Sequence, residues 1–470
     1  MTRKRFAKIL ATLGPASRAP DTMRLLHDVG VDAFRLNFSH GTHEDHLGNI
    51  QTIRQVERDS GNPIAVVADM QGPKLRVGEM GEGLELRYGE TVRIRHSEAP
   101  SDGTDIVHTH KELADIMEPG LILKFDDGKL QVTVNGPDTV RVDVPGLLKS
   151  RKGINVINAV LPMSAMTDKD REDMEFALTH GADWIALSFV QTAQDVIDAR
   201  KIIEAHPSGN RPGIIVKIEK PSAVEELDSI MSMTDAAMVA RGDLGVELPL
   251  ERVPVVQRRI IRKGRELGKP VIVATHMLES MIDAPTPTRA EASDVATAIY
   301  QGADAVMLSA ETAVGRHPAT AVAIMDRIIA SAEGDPILWE YFAQTELPHE
   351  ASAEDAISRS VKTIASTLSA KAVFGYTLSG STVMRISRER PPCRIIGLTP
   401  EERTASKLAL VWGTTPVVTG DPENFDSMLE HLNEQAKAVG LEAGDRFMVS
   451  AGVPFGVPGT TNTLKIGTVE

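Results

Sequence analysis

Eight short apolar runs (AKILATLG, AFRLNFS, IAVVADM, WIALSFV, GIIVKIE, AAMVARGD, VIVATHM and AVMLSAE) lie between Ala7 and Glu311, and each stops at charged or hydroxyl-bearing residues. Three of them continue one phrase, Gly-Val/Ala-Asp, at Gly30, Gly181 and Gly302, which reads as a helix-ending glycine followed by a buried strand. Stretches of helical period such as EELDSIMSM and ASDVATAIY separate most of the runs. Eight βα repeats predict an α/β chain built on a (β/α)8 TIM barrel, whose chemistry sits at the C-terminal strand ends. The polar stops include Arg35, Asn37, Ser39, Asp69, Lys217, Glu219, Asp243, Thr275, Ser309 and Glu311. One such stop is ordinary strand-end solvation; the set predicts a site.

The barrel pattern breaks after Asp69 and resumes near Trp184, following a helix expected around Asp168 to His180. Between Pro73 and Leu161 the chain turns to short alternating pieces with glycine turns, DDG being the clearest. An insertion after the third strand projects over the catalytic face, where a lid belongs. A third region opens near Leu347 with the amphipathic SAEDAISRSVKTIASTL, then the strand AVFGYTL and further αβ alternation. The expected organisation is a barrel over 1–72 and 162–346, an inserted small all-β lid, itself a β-barrel, over 73–161, and a doubly wound α/β domain over 347–470.

A formal charge of −14 with no long basic stripe argues against nucleic acid as a partner. Cys393 is the one cysteine, so no intrachain disulfide forms and a cytoplasmic setting fits. MTRKR leads directly into a strand pattern, and no apolar run approaches the roughly 18 residues of a membrane span, so neither targeting segment nor membrane anchor is expected.

Strand alternation puts Lys217 and Glu219 on one side of VKIEK, with Ile218 opposite. Asp243 follows the next strand in VARGDLGVE, where Gly242 and Gly245 are expected to permit tight backbone geometry. Two carboxylates without His or Cys neighbours suit a hard cation, Mg2+ or Mn2+, although a structural ion pair of Glu219 with Lys217 or Lys220 fits the same residues. Arg35, Lys217, Arg76 and Lys152 supply the positive charge that phosphoryl transfer requires; Arg76 and Lys152 also read as surface charges. Thr275 and Ser309 could orient a proton or bind a carboxylate, or simply cap strand ends. His40, His43 and His46 fan across too wide an arc to converge on one metal. TLSGST, carrying Thr377, Ser379, Gly380, Ser381 and Thr382 between a strand and a helix, suits either a phosphate cradle or a capped turn.

These residues resemble the pyruvate kinase family over nearly the whole chain. The matching stretches are ATLGPAS at Ala11, FRLNFSHG at Phe34, KIEK at Lys217, ARGDLGVE at Ala240, ATHMLESM at Ala274, PTPTRAEASDVA at Pro285 and MLSAETAVG at Met307. The resemblance implies glycolytic transfer of a phosphoryl group from phosphoenolpyruvate to ADP, giving pyruvate and ATP, in a cytoplasmic homotetramer that responds to a phosphorylated effector. It assigns Glu219 and Asp243 to the divalent metal, and Lys217 and Arg35 to the moving phosphoryl group. Gly242, Asp243 and Thr275 would hold the substrate carboxylate, and Asn37, His40, Arg76 and Lys152 would face the nucleotide. Thr275 and Ser309 would serve enolate protonation.

Departures from the commonest family pattern are Gln71, Gln191, His276, Ala310 and VIN at 156–158. Many members hold K+ at positions matching Asn37, Ser39, Asp69 and the backbone of Met70, and carry Glu where this chain has Lys74. A buried lysine charge beside that region predicts independence of K+. The rival readings are a metal-dependent lyase or aldolase acting on a pyruvate enolate with the same residues, and a non-catalytic metabolite sensor.

Overall fold

The computed structural model describes residues 3–420, 425–453 and 461–470. Eight parallel strands close a barrel in chain order: Lys8–Thr12, Ala33–Asn37, Ala65–Asp69, Trp184–Leu187, Gly213–Ile218, Ala236–Ala240, Val271–Ala274 and Ala305–Leu308. Successive residues alternate between two cores. Ile9, Phe34, Val66, Ile185 and Ile214 pack outward against the helices, whereas Leu10, Ala33, Val67, Trp184, Ile215 and Met307 fill the interior. Trp184 occupies space that only glycine leaves open: a Cβ on Gly213 would lie 2.3 Å from its ring.

That alternation positions the chemistry. Continuing the inward parity from Leu10, Ala33, Val67, Ala186, Ile215 and Met307 by one step leads to Thr12, Arg35, Asp69, Ser188, Lys217 and Ser309. The top layer of the barrel filling is therefore polar, and it opens at the C-terminal face.

The lid follows the third strand. Its six-stranded sheet runs Ile154–Val156, Ile122–Phe125, Leu130–Gly136, Thr139–Val144, Thr91–His96, Asp105–His108, and a separate ribbon pairs Leu84–Leu86 with Gly146–Leu148. The expected β-barrel is thus only partly closed. Isolated bridges from Arg76 to Gly153 and from Val77 to His108 link the sheet's two edges, because the ribbon strands pair with each other instead of completing the ring. Leu75, Val77, Phe125, Val132 and Val140 give the lid its own core.

The C-terminal sheet has the order Thr414–Val418, Arg394–Thr399, Ala372–Tyr376, Arg446–Gly452, Thr461–Thr468, parallel except for the last pair. Chain direction across this sheet reverses beside Ala372–Tyr376, the strand that feeds TLSGST. Open α/β sheets bind ligands at such a switch point. Among the described residues no helix is long and apolar enough to cross a membrane.

Candidate active site

Arg35, Asp69, Lys217 and Glu219 form one continuous chain of charge. Asp69 Oδ2 pairs with Arg35 Nε at 2.6 Å and its Oδ1 with Lys217 Nζ at 3.4 Å. Lys217 Nζ reaches Glu219 Oε1 at 3.0 Å and donates to Ser188 Oγ at 2.6 Å. Ser188 in turn donates to the Met70 carbonyl at 2.7 Å, while Arg35 Nη1 donates to Thr12 Oγ1 at 3.2 Å. Both Asp69 and Glu219 are essentially inaccessible, at 1% and 0% exposure.

Burial alone would neutralise Lys217, but Asp69 and Glu219 outweigh it and hold the ammonium well above the ordinary lysine value. Glu219 moves the other way. Burial, with the Asp243 carboxylate nearby, lifts it to about 7 against the pull of Lys217 and the Phe189 N–H, which donates to Oε2 at 2.8 Å. Burial is the larger cause and the Asp243 carboxylate the smaller one, with Lys217 opposing both. A divalent cation would oppose them as well, and Glu219 Oε1, buried with only the ion pair and no hydrogen bond, is the atom available to it. Among the described residues no three His, Cys, Asp or Glu side chains form a complete metal cage, so remaining positions would fall to substrate oxygens and water.

The opposite wall is strained. Thr275 and His276 there have φ of +67° and +55°, and Phe189, on the Glu219 side, +55°, the left-handed region that costs a non-glycine residue of order 1–3 kcal/mol. Arg241 holds the Thr275 turn in place: it donates to the carbonyls of Thr275 at 2.6 Å and Ala274 at 3.2 Å and is anchored on Asp294 at 2.6 Å. Thr275 Oγ1 accepts from Gly242 N at 2.7 Å, which brings together two of the residues expected at the substrate carboxylate. The expected backbone role of Gly242 and Gly245 is corrected. Both lie in a regular helix, Arg241–Glu247, with neither in the left-handed region. Ser309 Oγ is buried without a partner, and Ser309 N donates to Glu311 Oε2 at 2.7 Å. The other Glu311 oxygen accepts from Leu278 N at 3.2 Å and so ties the seventh and eighth strand ends together.

Asn37 continues the inward parity and accepts from Ser39 N at 3.2 Å, whereas Ser39 and His40 are exposed. The histidines diverge: His43 pairs with Asp173 at 2.7 Å and His46 with the His40 carbonyl at 3.0 Å. Arg76 and Lys152 remain within the lid, where Arg76 Nη1 donates to the Arg151 carbonyl at 3.1 Å and Lys152 pairs with Asp126 at 2.8 Å. Lys74 is exposed, contrary to the expected buried charge, and its Cε lies against Gly153. The reason is alternation along this bridging segment. Leu75 and Val77 enter the lid core, which turns Lys74 and Arg76 outward.

In the C-terminal domain Thr377 Oγ1 accepts from Gly380 N at 2.8 Å, with Gly380 at φ +93°. Ser379 Oγ donates to Ser381 Oγ at 3.2 Å, and Thr382 Oγ1 meets Thr461 Oγ1 at 2.7 Å. Ser379 and Ser381 line a cavity of about 610 Å³ shared with Arg200, Lys269 and Arg385.

Three participants escaped the sequence reading. Ser188 was legible by counting parity from Trp184. The Phe189 amide and Arg241 leave no sequence signal, since each contact joins one group to a backbone group on the neighbouring strand, remote in sequence.

A closed barrel whose inner layer ends in paired acids and cations, with an all-β domain inserted after the third strand, defines an α/β-barrel protein with a charged site at the C-terminal mouth. Family models for the pyruvate kinase barrel domain and the pyruvate kinase alpha/beta domain match residues 4–322 and 355–467. A pyruvate kinase of Methylorubrum extorquens is 45% identical over 100% of this chain and 98% of its own length, and one from Agrobacterium vitis is 45% identical over 98% of both. The crystal structure of a pyruvate kinase from Cryptosporidium parvum superimposes with a TM-score of 0.92 at 34% identity, covering 99% of this chain and 96% of that one. The chain belongs to the pyruvate kinase family.

Proposed function

We propose that the chain transfers the phosphoryl group of phosphoenolpyruvate to ADP through the Arg35–Asp69–Lys217–Glu219 cluster, with Mg2+ or Mn2+ held by Glu219 and Asp243. The observation that carries this reading is the fully buried Glu219 at the strand end, whose Oε1 meets Lys217 and has no hydrogen-bond partner. The metal, when bound, supplies positive charge to the phosphoryl and substrate oxygens. Lys217, fixed by Ser188 and two carboxylates, stabilises charge on the moving phosphoryl group, and Arg35 approaches the same group from the second strand. The bridging P–O bond breaks with its electron pair left on the enolate oxygen, while a β-phosphate oxygen of ADP forms the new P–O bond. The enolate carbon then takes a proton. Ser309, with its unpartnered hydroxyl, and Thr275 are positioned to relay it, directly or through water. Asn37, His40, Arg76 and Lys152 serve the nucleotide, the last two being delivered by the lid. The proposed working units are 1–72 with 162–346, 73–161 and 347–470, in a cytoplasmic, glycolytic homotetramer.

A coupled assay for pyruvate from phosphoenolpyruvate, with and without ADP, tests the reaction. ADP-dependent pyruvate supports it. Pyruvate without ADP indicates a lyase, and none under either condition a sensor.

K+ independence is part of the same proposal, on altered grounds now that Lys74 is exposed. Asp69 already faces Arg35 and Lys217, and the Met70 carbonyl accepts from Ser188, so two of the groups assigned to K+ by resemblance are engaged by the protein itself. In sodium- and potassium-free buffer with an organic counterion, added K+ should raise activity less than about twofold, roughly 0.4 kcal/mol. Strong activation of the unmodified protein would defeat the idea.

The TLSGST loop is proposed to bind the phosphate of a sugar phosphate or nucleoside monophosphate effector, supported by the switch point and the cavity lined by Ser379 and Ser381. Introducing Ser379→Glu with Ser381→Glu should abolish activation by any phosphometabolite that activates the unmodified protein. Equal activation of both would make the loop structural. The sequence PFGVPGTTNT at 454–463, whose glycines and hydroxyls suit either the border of the same pocket or a plain surface loop, falls outside the described residues over 454–460, and Thr461 opens the last strand.

A further inference from the structure

The lid reaches the barrel at a helix that carries a proposed metal ligand. Lys124 and Asn155 stand directly opposite each other on the paired lid strands Ile122–Phe125 and Ile154–Val156, and so share a face. Lys124 Nζ donates to the Val246 carbonyl at 2.7 Å, and Asn155 Nδ2 donates to Glu247 Oε1 at 2.9 Å. The lid turn at Gly128 sits against the Val246 side chain. Val246 and Glu247 form the last turn of Arg241–Glu247, and Asp243 lies in its first. Seven residues make a rod about 10 Å long, short enough to move as one body. Its far end is pinned by Arg241 on Asp294 and by Gly242 on Thr275.

Glu247 joins a second path. It is 2% exposed, and its Oε1 also accepts from Lys220 Nζ at 2.6 Å, while Oε2 is buried without a partner. Lys220 follows Glu219 and lies 5.9 Å from the Phe189 ring centroid, and the Phe189 amide holds Glu219. One buried carboxylate therefore touches the lid, the helix of Asp243 and the strand end of Glu219. Burying such a pair costs solvation that an apolar contact would not, so stability alone does not account for it. The Lys124 ammonium at the Val246 carbonyl is favoured, because the last helical carbonyls lack intrahelical partners and carry the negative end of the dipole. Lys152, expected at the nucleotide, pairs with Asp126 beside this same strand pair, so docking here also sets the lid edge from which Lys152 acts.

We propose that Lys124, Asn155 and Glu247 form a latch through which docking of the lid positions Asp243 and Glu219 for the divalent cation. This rests on the reading of those two carboxylates as metal ligands. The three latch residues are positioning residues and touch no reacting group. The test uses the full chain carrying Lys124→Met, Asn155→Leu, both together, and Lys124→Arg as the variant that retains a donor. Mn2+ alone, without substrate or nucleotide, is titrated by electron paramagnetic resonance, and hydrogen exchange of the amides in 241–247 is followed in parallel. The double variant should weaken Mn2+ binding by about tenfold, the lower range for loss of groups that orient ligands, and speed exchange in 241–247 by a similar factor, with Lys124→Arg close to the unmodified protein. Unchanged Mn2+ affinity and exchange in a double variant that melts like the parent would overturn the latch. Failure of the underlying reading looks different: the unmodified protein would then lose no Mn2+ affinity on Asp243→Asn.

Discussion

Lys217→Met is expected to slow phosphoryl transfer by at least about a hundredfold, close to 3 kcal/mol of barrier, while leaving proton exchange at the methyl carbon of pyruvate largely intact. The size of the effect follows from where the ammonium sits. It is buried, held charged by Asp69 and Glu219, and fixed by Ser188, so it needs no reorganisation when charge develops on the phosphoryl oxygens. The split between two half-reactions is diagnostic, since the proposal assigns enolate protonation to Thr275 and Ser309 and not to Lys217. Removing the cation also leaves Glu219 without its one counter-charge, so both rates must be compared at saturating metal. Near-normal ATP production from Lys217→Met would sink the assignment.

Much of this architecture could be read from the chain. Period-2 alternation in short buried strands fixes which residues point inward, so Arg35, Lys217 and Glu219 follow from Ala33 and Ile215 almost by counting. The insertion after Asp69 announces itself by a change from uniform apolar runs to alternating ones. What local pattern does not carry is pairing across the barrel mouth. Asp69 and Lys217 are far apart in sequence, yet the barrel places their side chains 3.4 Å apart, and it is this meeting that moves the titration of the group. Left-handed backbone at Phe189 and Thr275 is equally silent, because neither residue is one that favours it and each is held there by a distant partner. Lys74 shows the reverse failure. Its charge is plain in the sequence, but whether it is buried depends on the parity of the bridging segment, which Leu75 and Val77 set by entering the lid core.

Divalent metal affinity should fall about tenfold per pH unit below pH 7 and level off above it, with Glu219 as the group responsible. The sign follows from burial: with the metal absent, Glu219 is lifted from the usual glutamate value of 4.5 to about 7, so at pH 6 a cation must displace a proton that it does not meet at pH 8. Mn2+ titration of the substrate-free protein from pH 6 to 8.5 measures this. Glu219→Gln should bind weakly at every pH and lose the slope, and Asp243→Asn should move the Glu219 titration downward by removing the carboxylate that helps raise it. The same shift has a consequence for stability. A carboxyl whose folded value lies above its unfolded one favours the folded state when protonated, so its contribution is fully present below pH 4.5 and is lost as pH rises through 7. At 1.36 kcal/mol per pH unit the loss is roughly 3 kcal/mol, which metal binding offsets. Glu219→Gln should therefore melt higher than the unmodified protein at pH 8 without metal, while forfeiting the rise in melting temperature that Mn2+ produces. A pH-independent Mn2+ affinity, or a Gln variant that melts lower under those conditions, would show that Glu219 is satisfied as an ion pair with Lys217 and is not held in reserve for a cation.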